Sequence, residues 1–292
     1  MLVKPLEGVT PDSDTPAAIR ARPGGAAANQ AAWMAHLGAC VTFAGRVGAR
    51  DADYHRDELA RTGVRPHLAV DPGAETGSIV IMVAPDGERT MFTDRGANRH
   101  LQEDDLPDSL LDEAQVLHLT GYTFFEPPLL KVALWLLGQA RTRGLAVTID
   151  PGSAAFLARI EPGAFLRWTE GAAVCFPNRD EAAILVGEAD PDTMATRLTR
   201  HYGLVALTLG AAGCVLAVPG HPPVQIAAHP AQARDTTGAG DAFCGAFMSR
   251  WLAAAAPGEH PARLAVPALV AAAEFASRVA ATVVARFGAR PV

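Results

Sequence analysis

The strongest constraint on the fold is a regular alternation of short apolar segments with longer amphipathic ones after Asn98. The short segments are rich in Val, Ile and Leu and predict buried strands, whereas the longer ones predict helices. Strands that alternate with helices run parallel, because each helix returns the chain to the same edge of the sheet. The predicted strands are 116–119, 145–149, 173–176 and 204–209, and the predicted helices are 128–143, 162–170, 178–186 and 192–202.

The end of the chain completes this α/β region. An antiparallel pair of strands is predicted at 215–218 and 224–228, and two Ala-rich helices follow at about 238–256 and 265–286. The pattern therefore predicts an α/β fold with a mostly parallel central sheet.

The first hundred residues have a different pattern. Residues 1–14 are rich in Pro and Asp and predict a loop. Three segments with alternating polarity, together with a strand at 17–22, predict a small sheet beside the main core. Those segments are 65–70, 77–84 and 88–93, with a hairpin turn at 85–87. The remaining predicted elements are helices at 26–37 and 51–61 and a strand at 41–44.

Composition excludes several classes of partner. The chain has 292 residues, a net charge of −6 and 49% hydrophobic residues, which suits one globular domain spanning 1–292. A negative chain is a poor ligand for nucleic acid or an anionic membrane. No signal peptide is visible, and the apolar segments 129–137 and 265–285 are too short or too charged to span a membrane. The four cysteines are scattered, which predicts buried thiols in a reducing cytoplasm.

Residues 235–241 (DTTGAGD) carry the clearest chemical signal. Small residues at Gly238, Ala239 and Gly240 leave backbone N–H groups uncovered at the start of a predicted helix, where an anion is favoured. Asp241 follows in the first helical turn. An anion cradle beside a carboxylate suits phosphoryl transfer to a hydroxyl group. The alternative is an ordinary helix start in which Asp241 only complements the helix dipole.

A second Gly-rich helix start lies at residues 23–29 (PGGAAAN). Gly24 and Gly25 permit close approach of a ligand to the backbone, and Asn29 offers both a donor and an acceptor. By itself this segment could also be no more than a helix start.

Asn178 and Glu181 have the spacing of a helix capping box, which is the simplest explanation for them. Two standard nucleotide motifs are excluded, because neither lysine follows a glycine and Gly238, Gly240 and Gly245 lack the dinucleotide spacing.

Taken together, these segments resemble the ribokinase family, the PfkB carbohydrate kinases. Residues 235–248 resemble the C-terminal signature, residues 23–29 the N-terminal one, and residues 288–291 (GARP) the Gly-Ala-x-Pro ending of ribokinases. The resemblance implies a ribokinase-like three-layer fold with a β-sheet lid, formed by segments of about 12–23 and 65–98. It also implies a cytoplasmic enzyme that phosphorylates a hydroxymethyl group of a sugar with ATP and Mg²⁺.

The resemblance assigns roles to individual residues. Asp241 is the expected general base, and the N–H groups of Gly238, Ala239 and Gly240 form the expected anion hole. The expected sugar ligands are Gly24, Gly25, Asn29 and Asp241. The expected nucleotide site comprises Asn178, Thr208, Gly210, Gly213, Thr237 and Gly240, and the expected magnesium site comprises Asn178 and Glu181.

The resemblance further implies a monovalent-cation site, for example for K⁺, near residues 288–291 and pairing of two lids into a homodimer. Family members begin with a buried strand that ends in Gly-Asp-x-x-x-Asp. No Val- or Ile-rich segment precedes Met1, so that strand is expected to be missing. The missing strand makes a non-catalytic relic that binds a sugar or nucleotide an alternative. A nucleoside kinase is a narrower alternative within the enzyme class.

Overall fold

The computed structural model describes residues 1–6, 8–9, 11–84, 89–255 and 264–291. Its strands are β1 (Leu2–Pro5), β2 (Ala17–Arg20), β3 (Thr42–Gly48), β4 (Arg65–Asp71), β5 (Thr76–Val83), β6 (Arg89–Gly96), β7 (Val116–Thr120), β8 (Ala146–Asp150), β9 (Val174–Cys175), β10 (Val205–Thr208), β11 (Cys214–Ala217) and β12 (Val224–Ile226). Its helices are α1 (Ala26–His36), α2 (Ala52–Ala60), α3 (Pro127–Arg143), α4 (Ala154–Leu157), α5 (Pro162–Thr169), α6 (Arg179–Val186), α7 (Pro191–Leu198), α8 (Ala239–Ala254) and α9 (Val266–Val284).

A six-stranded sheet with the order β12-β11-β10-β9-β8-β7 forms the centre of the fold. Strands β7 to β10 are parallel, and β11 and β12 continue the sheet in antiparallel pairing. Successive side chains of a strand point to opposite faces. On β10, Val205 and Leu207 enter a core with α3, α5, α6 and α7, while Ala206 enters a second core with α8 and α9. The predicted three-layer α/β fold is therefore confirmed.

Helix α9 satisfies the length and composition of a membrane-spanning helix, with a mean hydropathy of 1.4. A core helix of a folded domain meets the same criteria, and α9 packs along α8. Its residues Leu269, Ala272 and Ala276 share a core with Phe247 of α8.

The expectation of buried thiols is met at three cysteines and is wrong at Cys40. All four are free, and Cys175, Cys214 and Cys244 are buried in the two cores, whereas Cys40 is exposed.

Two smaller sheets are built from the first hundred residues, and here two predictions were wrong. Residues 1–14 do not form a loop throughout, because β1 pairs with β2 and β5 in a four-stranded sheet of order β2-β1-β5-β6. Strand β4 does not join that sheet but pairs in parallel with β3. Alternating polarity identifies a strand but not its partner, which long-range packing selects. The predicted hairpin turn at 85–87 lies outside the described residues.

Candidate active site

The turn before α8 is held open by local hydrogen bonds. The Thr237 N–H donates to the Asp235 carboxylate at 2.9 Å, and Gly238 then adopts a left-handed conformation (φ 79°) that favours glycine. The N–H of Ala239 is used locally, because it donates to the Thr236 carbonyl at 3.3 Å. Gly240 is exposed, with open space where a Cβ would lie, and its N–H belongs to the first helical turn, which has no partner within the helix.

A hydroxyl group also lies unused at this turn. The Thr237 Oγ1 is buried and has no hydrogen-bond partner among the described residues. A buried hydroxyl without a partner is costly, so this atom is suited to a polar ligand at the turn. The turn therefore offers backbone N–H groups and one hydroxyl at the positive end of α8.

The two Gly-rich helix starts meet at Asp241. Asn29, in the second turn of α1, donates its Nδ2–H to Asp241 Oδ2 at 2.8 Å, and Gln30 Nε2 lies 3.4 Å from Oδ1. Gly25 makes the start of α1 possible with a φ of 91°, while Gly24 has open space above it. The predicted sugar ligands Gly24, Gly25 and Asn29 are thus placed beside the predicted general base.

Asp241 has the electrostatic properties of a base that works near neutral pH. Burial and the nearby charge of Asp150 raise the pKa of Asp241 to about 7. Hydrogen bonds from Asn29 and Gln30 and the positive charge of Arg290 oppose this rise. A carboxylate with a pKa near ambient pH can both accept a proton and release it again.

The C-terminal segment closes the site from one side. Arg290 donates from Nε to Asn29 Oδ1 at 3.1 Å and from Nη2 to the Gly24 carbonyl at 2.9 Å. The Ala289 carbonyl accepts from the Trp33 indole N–H at 2.8 Å. Ala289 also lies so close to Gly238 that a Cβ on that glycine would be 2.7 Å from the Ala289 Cα. Residues 289 and 290 therefore join α1 to the turn before α8.

A second acidic group lies at the carboxyl ends of β8 and β9. Asn178 and Glu181 form a capping box at the start of α6, with both reciprocal bonds at 2.9 Å, so the structural explanation of this motif is confirmed. The Glu181 side chain is nevertheless 3% exposed, and burial together with the charge of Asp150 raises its pKa to about 8. Burial likewise raises the pKa of Asp150 to about 6. Two buried carboxylates that repel each other favour a cation between them.

The other predicted nucleotide residues surround this region on the sheet edge. Thr208 ends β10 and forms a parallel bridge with Asn178. Gly210 (φ 57°) and Gly213 (φ 95°) shape the turn into β11, and a Cβ at Gly213 would be 2.0 Å from the Ile226 carbonyl oxygen. These glycines are therefore required by the turn itself, whether or not they also border a ligand.

Three residues of this site were absent from the sequence-based assignment: Gln30, Asp150 and Arg290. Gln30 is fully buried; its amide donates to Asp150, and its Oε1 lies 2.8 Å from His118 Nε2. The sequence places Asp150 at the end of a parallel strand, where ligands of α/β proteins bind, but assigns it no role. Arg290 lies within the Gly-Ala-x-Pro segment at the position that the motif leaves open, and no sequence signal identified Gln30. The roles of both depend on contacts between distant segments.

Comparison with known proteins identifies the family and the fold. The family model for pfkB family carbohydrate kinases matches residues 2–292 of this chain. A mouse (Mus musculus) ribokinase is 31% identical over 238 residues, which cover 77% of this chain and 69% of that protein. The structure of adenosine kinase from Sinorhizobium meliloti has a TM-score of 0.83 and 25% identity, covering 96% of this chain and 82% of the other. The structure of aminoimidazole riboside kinase from Salmonella enterica, complexed with aminoimidazole riboside and an ATP analog, has a TM-score of 0.76 and 23% identity. The match covers 99% of this chain and 91% of that chain.

Proposed function

Since the chain belongs to the pfkB family of carbohydrate kinases, we propose that it transfers the terminal phosphoryl group of ATP to a hydroxymethyl group of a sugar. The observation that carries the proposal is the 2.8 Å contact between Asn29 and Asp241. It places the open Gly24–Gly25 turn beside the carboxylate and the first turn of α8. A hydroxyl held there lies between a base and an anion cradle, as the reaction requires.

In the proposed reaction, Asp241 takes the proton of the sugar hydroxyl as its oxygen attacks the γ-phosphorus of ATP. The bond between that phosphorus and the bridging oxygen breaks, and ADP leaves. The N–H groups in the first turn of α8, chiefly that of Gly240, stabilise charge on the transferring oxygens, with the Gly238 and Ala239 backbone shaping the turn. The unpartnered Thr237 hydroxyl donates to the same group.

Magnesium fits the acidic group at the strand ends. Among the described residues, no three His, Cys, Asp or Glu side chains form a metal site by themselves. Mg²⁺ usually keeps several waters and takes only one or two carboxylates. Glu181 and Asp150, both buried with raised pKa values, would hold such an ion, and Asn178 would fix the Glu181 carboxylate. Bound Mg²⁺ would neutralise charge on the phosphates of the nucleotide.

For the nucleotide, we propose the sheet edge formed by Asn178, Thr208, Gly210 and Gly213, with the phosphates directed to Thr237 and Gly240. This arrangement leaves the acceptor sugar on the side of Gly24 and Asn29. The similarity to an adenosine kinase supports a second acceptor class, the nucleosides.

The experiment is an ADP-release assay with sugars and nucleosides, run in K⁺ and in Na⁺, on the wild-type protein and Asp241→Asn. We expect Asp241→Asn to lose about 10²- to 10⁴-fold in kcat, the usual contribution of a general base, while ATP still raises Tm. Asp192→Asn is the matched control, because Asp192 also lies in a first helical turn, that of α7. Near-wild-type turnover by Asp241→Asn would refute the assigned base. If ligands raise Tm but no acceptor leads to ADP release, a binding relic is favoured.

We also propose that two lids pair. The strand register places Val3, Ile19, Val80, Met82 and Phe92 on one face of the four-stranded sheet. Ile19 and Phe92 are 64% and 57% exposed. An apolar face that meets its own copy across a two-fold axis becomes covered without a second type of surface.

Light scattering tests the dimer. Wild-type protein is expected to have twice the chain mass, and Phe92→Glu is expected to shift the equilibrium to the monomer. Leu134→Glu, an equally drastic change at an exposed residue of α3, is the control. A monomeric wild-type protein at micromolar concentration would contradict this proposal.

A further inference from the structure

A cavity of about 360 Å³ lies between lid strand β6, the residue that precedes α3, and the segment formed by α4 and the residues after it. We call it the arginine cavity. The residues used below are Asp94, Arg95, Arg99, Glu126, Phe156 and Arg159, all of which line it. None of them carries a role in the reaction described above.

The arginine cavity carries a net positive charge, whereas the chain as a whole carries a net negative charge. Three guanidinium groups face two carboxylates here, although the protein has a net charge of −6. Glu126 is engaged by Arg99 Nε at 2.7 Å and lies 3.7 Å from Arg95 Nε. The Asp94 carboxylate accepts the Gly96 N–H at 2.9 Å. The carboxylates are thus already engaged, and positive charge is left over.

Arg95 has a donor that nothing satisfies. Its side chain is 13% exposed, and its Nη1 is buried with no hydrogen-bond partner among the described residues. Arg159 lies on the same cavity with its guanidinium over the Phe156 ring, 5.1 Å from the ring centre. A buried guanidinium N–H without an acceptor is costly, and a phosphate or carboxylate is its usual partner.

Tyr122 lies next to the arginine cavity. The Arg95 guanidinium carbon is 5.5 Å from the centre of the Tyr122 ring. The same ring also lies close to Gly152, where a Cβ would be 3.1 Å from Tyr122 Cε2. The Gly152 N–H in turn donates to Asp150 at 2.9 Å. Burial, together with the charges of Asp150 and Asp241, raises the pKa of Tyr122, so Tyr122 lies near the proposed transfer site as well as the arginine cavity.

We propose that the acceptor is a sugar with an anionic group, phosphate or carboxylate, on the carbon remote from the hydroxymethyl group that is phosphorylated. Arg95 and Arg159 bind that anion. A guanidinium matches two oxygens of either group at once, which a neutral hydroxyl cannot offer. This inference rests on the proposed kinase function and specifies its substrate class. With a sugar phosphate, the products are ADP and a sugar bisphosphate.

The test compares neutral sugars with their terminal phosphate esters and their sugar acids. We expect one anionic series to exceed its neutral parent in kcat/KM by about 10- to 100-fold, the equivalent of one or two charged hydrogen bonds. Which series does so identifies the anion. Arg159→Gln, an exposed position that is expected to leave folding intact, should reduce this ratio, and Arg95→Gln should reduce it further.

Arg141→Gln is the matched control, since Arg141 is also exposed but donates to the Glu170 carbonyl outside the arginine cavity. Its preference for the anionic sugar should equal that of the wild-type protein. A Tm shift with the sugar phosphate or sugar acid, measured without ATP, reports binding independently of turnover. The inference is overturned if a neutral sugar is used as efficiently as its anionic forms, or if Arg95→Gln and Arg159→Gln leave the ratio unchanged. Absence of ADP release with every acceptor would instead refute the kinase function.

Discussion

At the scale of single residues, the pKa of Asp241 predicts the pH dependence of the proposed reaction, in which Asp241 is the base. A base must be deprotonated to accept the hydroxyl proton, and the pKa of Asp241 is raised to about 7. We therefore expect kcat/KM to rise about tenfold per pH unit below that value and to level off above it. A pH profile from 5.5 to 8.5 measures this directly.

Arg290→Gln provides the internal check on that profile. The Arg290 charge favours the ionised form of Asp241, so its removal should move the midpoint to higher pH. Arg141→Gln should not move the midpoint. A flat profile would show that proton transfer to Asp241 does not limit the reaction.

Candidate site residues could be predicted from the sequence where a local motif contains the chemical groups. Asp241 and Asn29 each lie next to glycines at a helix start, and that pattern is visible in the sequence. Gln30 and Arg290 could not be found in this way. The role of Gln30 comes from its contacts with Asp150 and Asp241, which are brought together only by the sheet and α8.

At the scale of elements, the turn before α8 depends on Gly238. Gly238→Ala would force alanine into a φ of 79° and would place its Cβ 2.3 Å from the Cβ of Ala289. We expect a loss of at least about 1–3 kcal/mol in the free energy of unfolding from backbone strain alone, with a further loss from the clash. Turnover should fall too, because Ala289 must move. Urea unfolding and the ADP assay measure the two effects.

Gly210→Ala separates strain from clash. Gly210 also has a positive φ, of 57°, but open space lies where its Cβ would be. Gly210→Ala should therefore lower the free energy of unfolding less than Gly238→Ala does. Equal losses would mean that the contact with Ala289 contributes nothing.

Elements of the main sheet were easier to predict than those of the lid. Buried parallel strands such as β8 and β10 are mostly apolar, so their identity follows from composition. The short strand β1 contains Lys4 and Pro5 and exists because β2 and β5 lie on either side of it. Pairing of that kind leaves little trace in a single sequence.

At the scale of the whole molecule, the buried carboxylates link stability to pH and to magnesium. Asp150, Glu181 and Asp241 have pKa values of about 6, 8 and 7, all above those of an unfolded chain. The folded protein then holds more protons than the unfolded one. Its stability from these groups is therefore present at low pH and is lost as pH rises towards 8.

Mg²⁺ should reverse that loss. We expect it to raise Tm more at pH 8 than at pH 5.5, because the ion competes with protons for Glu181 and Asp150. Glu181→Gln should reduce this effect, whereas Glu188→Gln should not. Glu188 is an exposed residue that lies beyond the end of α6 and pairs with Arg179 at its start. Thermal unfolding at the two pH values is the measurement. A Mg²⁺ effect of equal size at both would place the ion elsewhere.

Residue 290 lies at one end of the described chain, yet its guanidinium contacts Asn29, which in turn contacts Asp241. Loss of the contacts made by residues 289 and 290 would leave both cores intact while releasing Asn29 and exposing Asp241 to water. Such a protein would still unfold cooperatively but would turn over slowly. Catalytic competence thus reports whether residues 289 and 290 are in place, which a melting curve alone does not.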